Sequence, residues 1–300
     1  MLATLMDGGM GRELLRMGAP FGQPEWSARA LLDGPEWVER AHANFIEAGA
    51  QMITTNSYAI VPFHIGEQQF VQRGEELAEL SGRLARRAAD AAQRDVRVAG
   101  SLPPLFGSYR PDLFVADLAP SIIDPLVRGL APHVDVWLGE TLSSIAEARV
   151  VREAIDRCGE ADTPLWLSFT LDDTARLALR SGEHVADAVA TASALGAAAV
   201  LFNCCRAETI TAAIRHASAV APPGVEVGGY ANRFVESHGT GAANEDISDL
   251  RDDLDPDSYS HIVESWLDAG ATVVGGCCGI EPAHIAAIGN RLADVERRLG

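Results

Sequence analysis

The stretch Gly275-Gly276-Cys277-Cys278-Gly279 places two adjacent cysteines between glycines, directly after the short apolar run 271–274. Neighbouring side chains of a β-strand point to opposite faces, so both thiols can reach one point only if the backbone turns there. Glycine permits such a turn because it has no Cβ atom. The stretch therefore predicts a strand that ends in a tight turn carrying two thiols.

A second apolar run, 197–202, ends in the same way, in Asn203-Cys204-Cys205. Three thiolates from two strand ends would leave one coordination position open, which is typical of catalytic zinc, whereas structural zinc normally has four protein ligands. Two other interpretations stay open. The cysteines are inert core thiols, or the pairs 277–278 and 204–205 form vicinal disulfides in a redox-sensing protein without catalytic activity.

Short β-type runs alternate with longer helical patterns along the chain, and eight such pairs are predicted. The predicted strands are 2–6, 51–55, 96–100, 134–138, 165–170, 197–202, 225–229 and 271–274. The helices are predicted at 35–48, 67–94, 121–130, 144–158, 183–195, 207–217, 257–269 and 283–299. Eight strand–helix units favour a (β/α)8 TIM barrel. The alternative is an open doubly wound sheet, but no GxGxxG motif follows the first strand.

Composition excludes several functional classes. The 300-residue chain carries 24 basic and 42 acidic residues, a formal net charge of -18. Nucleic acids and anionic membrane surfaces require a basic face, so we expect neither as a partner. Every basic residue is arginine, which excludes lysine Schiff bases and the P-loop lysine.

The organisation of the chain predicts a single unit in a reducing compartment. No repeat or low-complexity linker divides the sequence, so residues 1–300 are predicted to form one domain. Residues 1–7 lack the basic and apolar regions of a signal peptide. Five cysteines with this spacing do not suggest a secreted disulfide framework. We therefore expect a cytoplasmic location, where thiols stay reduced.

Polar and metal-binding residues gather at the ends of the predicted strands. They follow the first, second, fourth, sixth, seventh and eighth strands as Asp7-Gly8-Gly9, Thr55-Asn56-Ser57-Tyr58, Gly139-Glu140-Thr141, Asn203-Cys204, Tyr230-Ala231-Asn232 and Cys277-Cys278. In a TIM barrel the C-terminal ends of the strands form the active site. The pattern therefore predicts a binding or catalytic site at this rim.

These stretches resemble the homocysteine S-methyltransferase family. Residues 7–14 are similar to its N-terminal signature, and Asn203-Cys204 and residues 275–279 are similar to its two zinc motifs. Segments 48–58 and 168–170 also match, so the resemblance covers nearly the whole chain. It implies a zinc-dependent (β/α)8 barrel that transfers a methyl group to the thiol of homocysteine and forms methionine.

The resemblance implies a ligand set for zinc. Cys204, Cys277 and Cys278 correspond to the metal ligands, because the family motif has its cysteine directly after the asparagine. Cys205 is then a bystander. Cys158 falls inside a predicted helix and is expected in the core.

The same resemblance implies how the small-molecule substrate is held. The substrate-binding candidates are Asp7, Gly8, Gly9, Tyr58, Glu140 and Asn232. Asp7 and Glu140 match positions that hold the amino group of homocysteine, where two carboxylates make charge-assisted hydrogen bonds. The amides of Gly8 and Gly9 are expected to receive the substrate carboxylate. Without the resemblance, Asp7 could cap a turn and Glu140 could form a salt bridge at the rim.

The sequence departs from the family after the seventh strand. Many members carry Tyr-Pro-Asn-Ser-Gly there, whereas this chain has Tyr230-Ala231-Asn232-Arg233-Phe234. This segment and the polar loop 235–257 are expected to face the methyl donor, and Arg233 would either repel a cationic donor or point to solvent. S-methylmethionine and S-adenosylmethionine are the expected donors. Betaine, another onium compound, a folate donor, and another thiol or selenol acceptor remain open.

Overall fold

The structure, a computed structural model, describes residues 3–159, 162–173, 177–235 and 249–299 of the chain. Leu2, at the start of the first predicted strand, and residues 236–248 of the predicted donor-facing loop lie outside the described residues.

Eight parallel strands form one sheet within the described residues. They are β1 (Thr4–Leu5), β2 (Met52–Thr54), β3 (Arg97–Leu102), β4 (Val136–Leu142), β5 (Leu165–Phe169), β6 (Ala199–Asn203), β7 (Glu226–Ala231) and β8 (Val273–Gly276). Their order is β1-β8-β7-β6-β5-β4-β3-β2, and a parallel bridge between Met6 and Met52 joins the first two strands. The sheet therefore curls into a barrel. This confirms the predicted (β/α)8 TIM barrel and rules out the open doubly wound sheet.

Helices alternate with the strands around the barrel. The described α-helices are α1 (Met10–Met17), α2 (Ala28–Asp33), α3 (Pro35–Glu47), α4 (Pro62–Ile65), α5 (Glu67–Asp90), α6 (Ala119–Leu130), α7 (Ile145–Cys158), α8 (Val185–Ala194), α9 (Ala207–Val220), α10 (Pro256–Asp268) and α11 (Pro282–Leu299). The eight long helices lie where the apolar periodicity predicts them. The prediction omitted α1, α2 and α4, because helices of one or two turns are too short to show that periodicity.

Two apolar clusters explain the stability of this arrangement. Inward-facing residues such as Met52, Leu138 and Trp166 fill the interior of the barrel, while alternate residues such as Trp137 pack outward against the helices. Both faces of the sheet are therefore buried, which is why the strands are nearly continuous apolar runs in the sequence.

That residues 1–300 form one domain stays a prediction.

The fourth strand corrects the sequence prediction. It was predicted at 134–138, with Glu140 beyond its end, but β4 continues to Leu142 and contains Glu140. The pairing with β5 shifts register between Gly139 and Leu142, and Thr141 has a left-handed φ of 58°. Such a bulge re-aims side chains at the rim of a sheet, and no propensity in the sequence indicates it.

Glycine allows the close approach of β7 and β8, and this generates a prediction. A Cβ atom on Gly228 would lie 1.9 Å from the carbonyl oxygen of Val273. We expect Gly228→Ala to lower the free energy of unfolding by about 1–3 kcal/mol, because overpacking forces the backbones apart. Gly22→Ala is the control, since its Cβ would meet nothing closer than Arg29 Nη1 at 3.6 Å. Equal urea midpoints for the two variants would contradict the prediction.

Candidate active site

A cavity lies at the C-terminal ends of the barrel strands. Its wall includes Asp7 after β1, Tyr58 after β2, Glu140 in β4, Cys204 after β6, and Cys277 and Cys278 after β8. These six predicted rim residues therefore come together. The cavity occupies the position of the active site in TIM barrels.

Backbone strain concentrates in the wall of this cavity. Among the described residues, the non-glycine residues with left-handed φ are Trp26, Tyr109, Thr141 and Cys204. All of them line the cavity. Left-handed backbone is unfavourable for residues with a Cβ atom and persists where the surrounding structure enforces it, commonly at functional sites. The strain therefore marks the cavity as functional independently of its chemistry.

Three cysteine sulfur atoms converge in the cavity. The Sγ atoms of Cys204, Cys277 and Cys278 all lie within 4.8 Å of one another, and those of Cys204 and Cys278 are 3.9 Å apart. Tetrahedral zinc with Zn–S bonds of about 2.3 Å requires S···S separations of about 3.8 Å. The sulfur triad is close to that geometry. Soft thiolate donors select zinc over magnesium or calcium.

The turn that carries Cys277 and Cys278 is held by its backbone. The Cys277 amide donates to the Ala231 carbonyl at 2.8 Å, and the Arg233 amide donates to the Cys278 carbonyl at 2.8 Å. Gly279 has a left-handed φ of 83°, which glycine adopts without steric cost. The two cysteines are thereby bound to the end of β7 and to the loop that follows it.

Gly8 and Gly9 have a role that the sequence interpretation did not anticipate. The Gly9 amide donates to the Ile280 carbonyl at 2.9 Å, so it already has a backbone partner; that the amides of Gly8 and Gly9 receive the substrate carboxylate stays a prediction. A Cβ on Gly9 would lie 2.6 Å from the Cys277 carbonyl oxygen, and one on Gly8 would lie 2.4 Å from that of Ile280. These glycines let the loop after β1 pack directly on the cysteine turn.

Two buried carboxyl groups face the same cavity. Asp7 accepts hydrogen bonds from the Thr54 amide at 2.8 Å and the Thr54 hydroxyl at 3.0 Å. Glu140 accepts hydrogen bonds from the Ser101 hydroxyl at 2.5 Å and the Tyr230 hydroxyl at 3.2 Å. Within the described residues, Asp7 therefore bonds to β2 rather than capping a turn with Gly8, and Glu140 bonds to hydroxyl groups rather than to a cationic side chain.

Burial raises the pKa of both carboxyl groups above the ordinary values. Desolvation, assisted by the neighbouring Glu140, raises the pKa of Asp7 from 3.8 to about 8. Desolvation likewise raises the pKa of Glu140 from 4.5 to about 7. A cationic ligand between the two groups would restore the ionised forms by supplying opposite charge. We therefore expect the part of the cavity wall that carries Asp7 and Glu140 to favour a positively charged group.

Of the other predicted residues, one lines the cavity and the others do not. Tyr58 lines the cavity, and its hydroxyl is 2.7 Å from the Ser108 hydroxyl. Asn232 is not among the lining residues; its Oδ1 accepts the Phe234 amide at 3.2 Å, so it stabilises its own turn. Arg233 is partly buried, and its Nε donates to the Arg251 carbonyl at 2.7 Å; how it lies relative to the methyl donor stays a prediction.

Sequence reasoning gave no role to Arg12 or Tyr109, which line the cavity together with Phe234. The Arg12 guanidinium lies 5.7 Å from the centroid of the Phe234 ring. Tyr109 belongs to the long loop after β3, and its hydroxyl contacts Cys204. An aromatic residue in a long βα loop was the available signal for Tyr109, since such loops carry the functional groups of a barrel.

Cys205 does not join the sulfur triad. It is fully buried and packs in the cluster between strands and helices. Burial raises the pKa of its thiol well above the ordinary value, which makes it unreactive. All five cysteines are free thiols in the structure, and Cys158 ends α7 at the edge of the same cluster.

Comparison with known proteins identifies the family. The sequence profile described as homocysteine S-methyltransferase matches residues 4–292. The chain belongs to this family. It is 29% identical to the homocysteine S-methyltransferase of Escherichia coli (strain K12), over 95% of this chain and 93% of the relative. It is also 29% identical to a selenocysteine Se-methyltransferase of Brassica oleracea var. italica, over 98% of this chain and 90% of the relative.

A solved member of the homocysteine S-methyltransferase family has the same architecture. The metallated form of the homocysteine methyltransferase MmuM from Escherichia coli superposes with a TM-score of 0.79 at 28% identity, covering 97% of this chain and 96% of the other. The resemblance inferred from the sequence motifs is thereby confirmed.

Within the described residues, no helix is both long and apolar enough to cross a membrane.

The burial of Glu140 predicts a pH-dependent stability. Its pKa is higher in the folded chain, at about 7, than the ordinary 4.5, so its ionisation destabilises the fold increasingly between these two pH values. We expect Glu140→Gln to stabilise the ligand-free, metal-free protein at pH 9, by on the order of 3 kcal/mol. The gain should vanish near pH 4, where the wild-type carboxyl is protonated in both states.

Chemical denaturation at the two pH values tests this expectation. The control is Glu153→Gln on the exposed face of α7, for which we expect no gain that grows with pH. A gain from Glu140→Gln that is equal at pH 4 and pH 9 would contradict the burial argument.

Proposed function

We propose that the protein transfers a methyl group from a cationic donor to the thiol of homocysteine, forming methionine, with zinc held by Cys204, Cys277 and Cys278. The observation that carries the proposal is the presence of three convergent sulfur atoms and two buried carboxyl groups in one cavity. The names of the relatives support homocysteine as acceptor, and the metallated form of MmuM supports a metal at this site.

Asp7 and Glu140 would bind the ammonium group of homocysteine. Both carboxyl groups are buried, and their raised pKa values mean that an isolated charge is unfavourable there. An incoming ammonium places one positive charge beside the two groups and lowers their pKa values, so binding would release protons from the carboxyl groups at neutral pH. Thr54, Ser101 and Tyr230 donate hydrogen bonds that fix the carboxylates in place.

Zinc, when bound, supplies the Lewis acidity that lowers the pKa of a coordinated thiol and keeps its sulfur ionised at neutral pH. The chain's part is geometric. The cysteine turn and the carboxyl pair stand at two places on the cavity wall, so a small amino acid can place its ammonium at one and its sulfur at the other. Holding acceptor and donor in line accounts for a large part of the barrier to a bimolecular reaction.

The transfer is one displacement. The homocysteine sulfur forms a bond to the methyl carbon, the bond from that carbon to the donor sulfonium breaks, and its electron pair stays on the donor sulfur. The donor leaves as a neutral thioether, and the proton of the acceptor thiol goes to solvent. No general base is needed during the transfer itself.

Aromatic rings in the cavity wall support a cationic donor. Trp26, Tyr58, Tyr109 and Phe234 all line the cavity, and ring faces attract cations, most strongly when water is excluded. S-methylmethionine and S-adenosylmethionine are therefore the donors to assay first. The same chemistry requires reduced thiols, which supports the prediction of a cytoplasmic location.

A selenol acceptor is the second candidate. The relative from Brassica oleracea var. italica is named a selenocysteine Se-methyltransferase and aligns with nearly the whole chain. Parallel assays with homocysteine and selenocysteine, each with both donors, decide between the acceptors. Methionine formation with homocysteine and a sulfonium donor is the expected result, and failure of every acceptor with every sulfonium donor would overturn the proposal.

The sulfur triad predicts the metal content of cysteine variants. We expect the reduced wild-type protein to bind zinc, and Cys204→Ala and Cys277→Ala to lose it, because removing one of three thiolates removes most of the binding energy. Cys205→Ala is the matched control, adjacent in sequence but packed in the core, and it should retain zinc. Elemental analysis after gel filtration measures this; equal zinc in wild type and Cys204→Ala would contradict the assignment.

The carboxyl pair predicts a selective loss of acceptor binding. We expect Asp7→Asn and Glu140→Gln to raise the KM for homocysteine by about 30-fold or more, since breaking a buried charge pair costs about 2–5 kcal/mol. The KM for the methyl donor should change little. A donor KM that rises as much as the homocysteine KM would place the carboxyl groups at the donor instead.

A further inference from the structure

The hydroxyl group of Tyr109 touches one member of the sulfur triad. It lies 2.9 Å from Cys204 Sγ and 2.8 Å from the Cys204 carbonyl oxygen. Both residues have left-handed backbones, with φ of 65° for Tyr109 and 52° for Cys204. Two strained residues from separate loops therefore meet through one hydroxyl, and strain of this kind persists only where other contacts enforce it.

The hydroxyl has one proton and two candidate acceptors. The Cys204 carbonyl has a second donor, because the Thr170 hydroxyl lies 3.4 Å from it. The Thr170 oxygen in turn accepts from Arg180 Nε at 3.2 Å, which directs the Thr170 proton toward the carbonyl. The carbonyl therefore keeps one donor when the Tyr109 proton points to the sulfur, which is the stronger acceptor once it is ionised.

Arg180 also fixes the ring of Tyr109. Its guanidinium carbon lies 4.1 Å from the ring centroid, a favourable cation–π distance. The same guanidinium contacts Asp173 at 3.3 Å, and Asp173 accepts the Arg206 amide at 2.8 Å. Arg180 and Asp173 therefore connect the loop after β5 with both the Tyr109 ring and the chain directly after Cys205.

We propose that Tyr109 is a positioning residue for Cys204. Its hydroxyl donates a hydrogen bond to Cys204 Sγ, and Arg180 holds its ring in place, so that this sulfur points toward the sulfur atoms of Cys277 and Cys278. The inference deepens the proposed function and rests on the triad binding a metal. Groups that hydrogen-bond to metal ligands orient them and tune the metal, and their loss typically costs about 10- to 100-fold in affinity.

The other tyrosines of the cavity do not make this contact. The Tyr58 hydroxyl pairs with Ser108, and the Tyr230 hydroxyl donates to Glu140. Tyr58 therefore offers a matched control for loss of one phenolic hydroxyl from the same wall.

Zinc affinity measured by chelator competition is the first test. We expect Tyr109→Phe, which keeps the ring under Arg180, to lower the affinity of the reduced protein about 10- to 100-fold. Tyr58→Phe should leave zinc affinity at the wild-type value. Arg180→Met, which keeps the hydroxyl but frees the ring, should give a smaller loss and serves as the second variant if Tyr109→Phe does not fold.

The absorption spectrum of the cobalt-substituted protein tests whether the Tyr109 hydroxyl acts on the sulfur itself, because a purely structural role would leave the spectrum unchanged. In the cobalt-substituted protein, Tyr109→Phe should shift the sulfur-to-cobalt charge-transfer band to lower energy, because a thiolate without its hydrogen-bond donor releases electron density more easily. An unchanged band together with unchanged zinc affinity would overturn the positioning role. If wild type itself binds no metal, or Cys204→Ala binds as well as wild type, the proposed function fails instead.

Discussion

The convergence of three cysteine sulfur atoms is the constraint on which this site depends. Cys204 follows β6 and the Cys277-Cys278 turn follows β8, so the two ends must meet across β7. Parallel neighbours in a barrel bring their C-terminal ends to one rim, but sulfur atoms within 4.8 Å also require a left-handed Cys204 and a glycine-rich turn. The glycines around the turn serve close packing, since side chains on Gly8, Gly9 or Gly276 would clash with residues 277–280.

The site combines features that are individually unfavourable. Two carboxyl groups are buried beside one another with raised pKa values, and strained backbone surrounds them. A fold tolerates such features when the rest of the barrel is consistently apolar and well packed, as both core clusters are. A ligand would relieve each of these costs: an ammonium would place positive charge beside the carboxylates, and a metal would bind the convergent sulfur atoms. The same groups therefore lower the stability of the ligand-free fold and favour the binding of a ligand.

The sequence predicts the barrel because its signals are local and repeated. Eight apolar runs separated by amphipathic helices are visible without structure, and the rim residues follow from the strand ends. Glu140 shows what a local pattern omits, since the bulge after Gly139 depends on pairing between β4 and β5. Asn232 and Gly9 show that a motif position does not reveal which polar group is already occupied. The contact of Tyr109 with Cys204 could not be predicted, because the two residues are remote in sequence.

The central claim is that this cavity holds a metal at the sulfur triad and homocysteine between that metal and the carboxyl pair. A crystal structure of the zinc-loaded protein with homocysteine, with diffraction data at the zinc absorption edge, tests it most directly. The account predicts one anomalous peak within bonding distance of Cys204, Cys277 and Cys278, and the substrate ammonium between Asp7 and Glu140. Homocysteine bound elsewhere, or a disulfide within the triad and no zinc peak under reducing conditions, would contradict it.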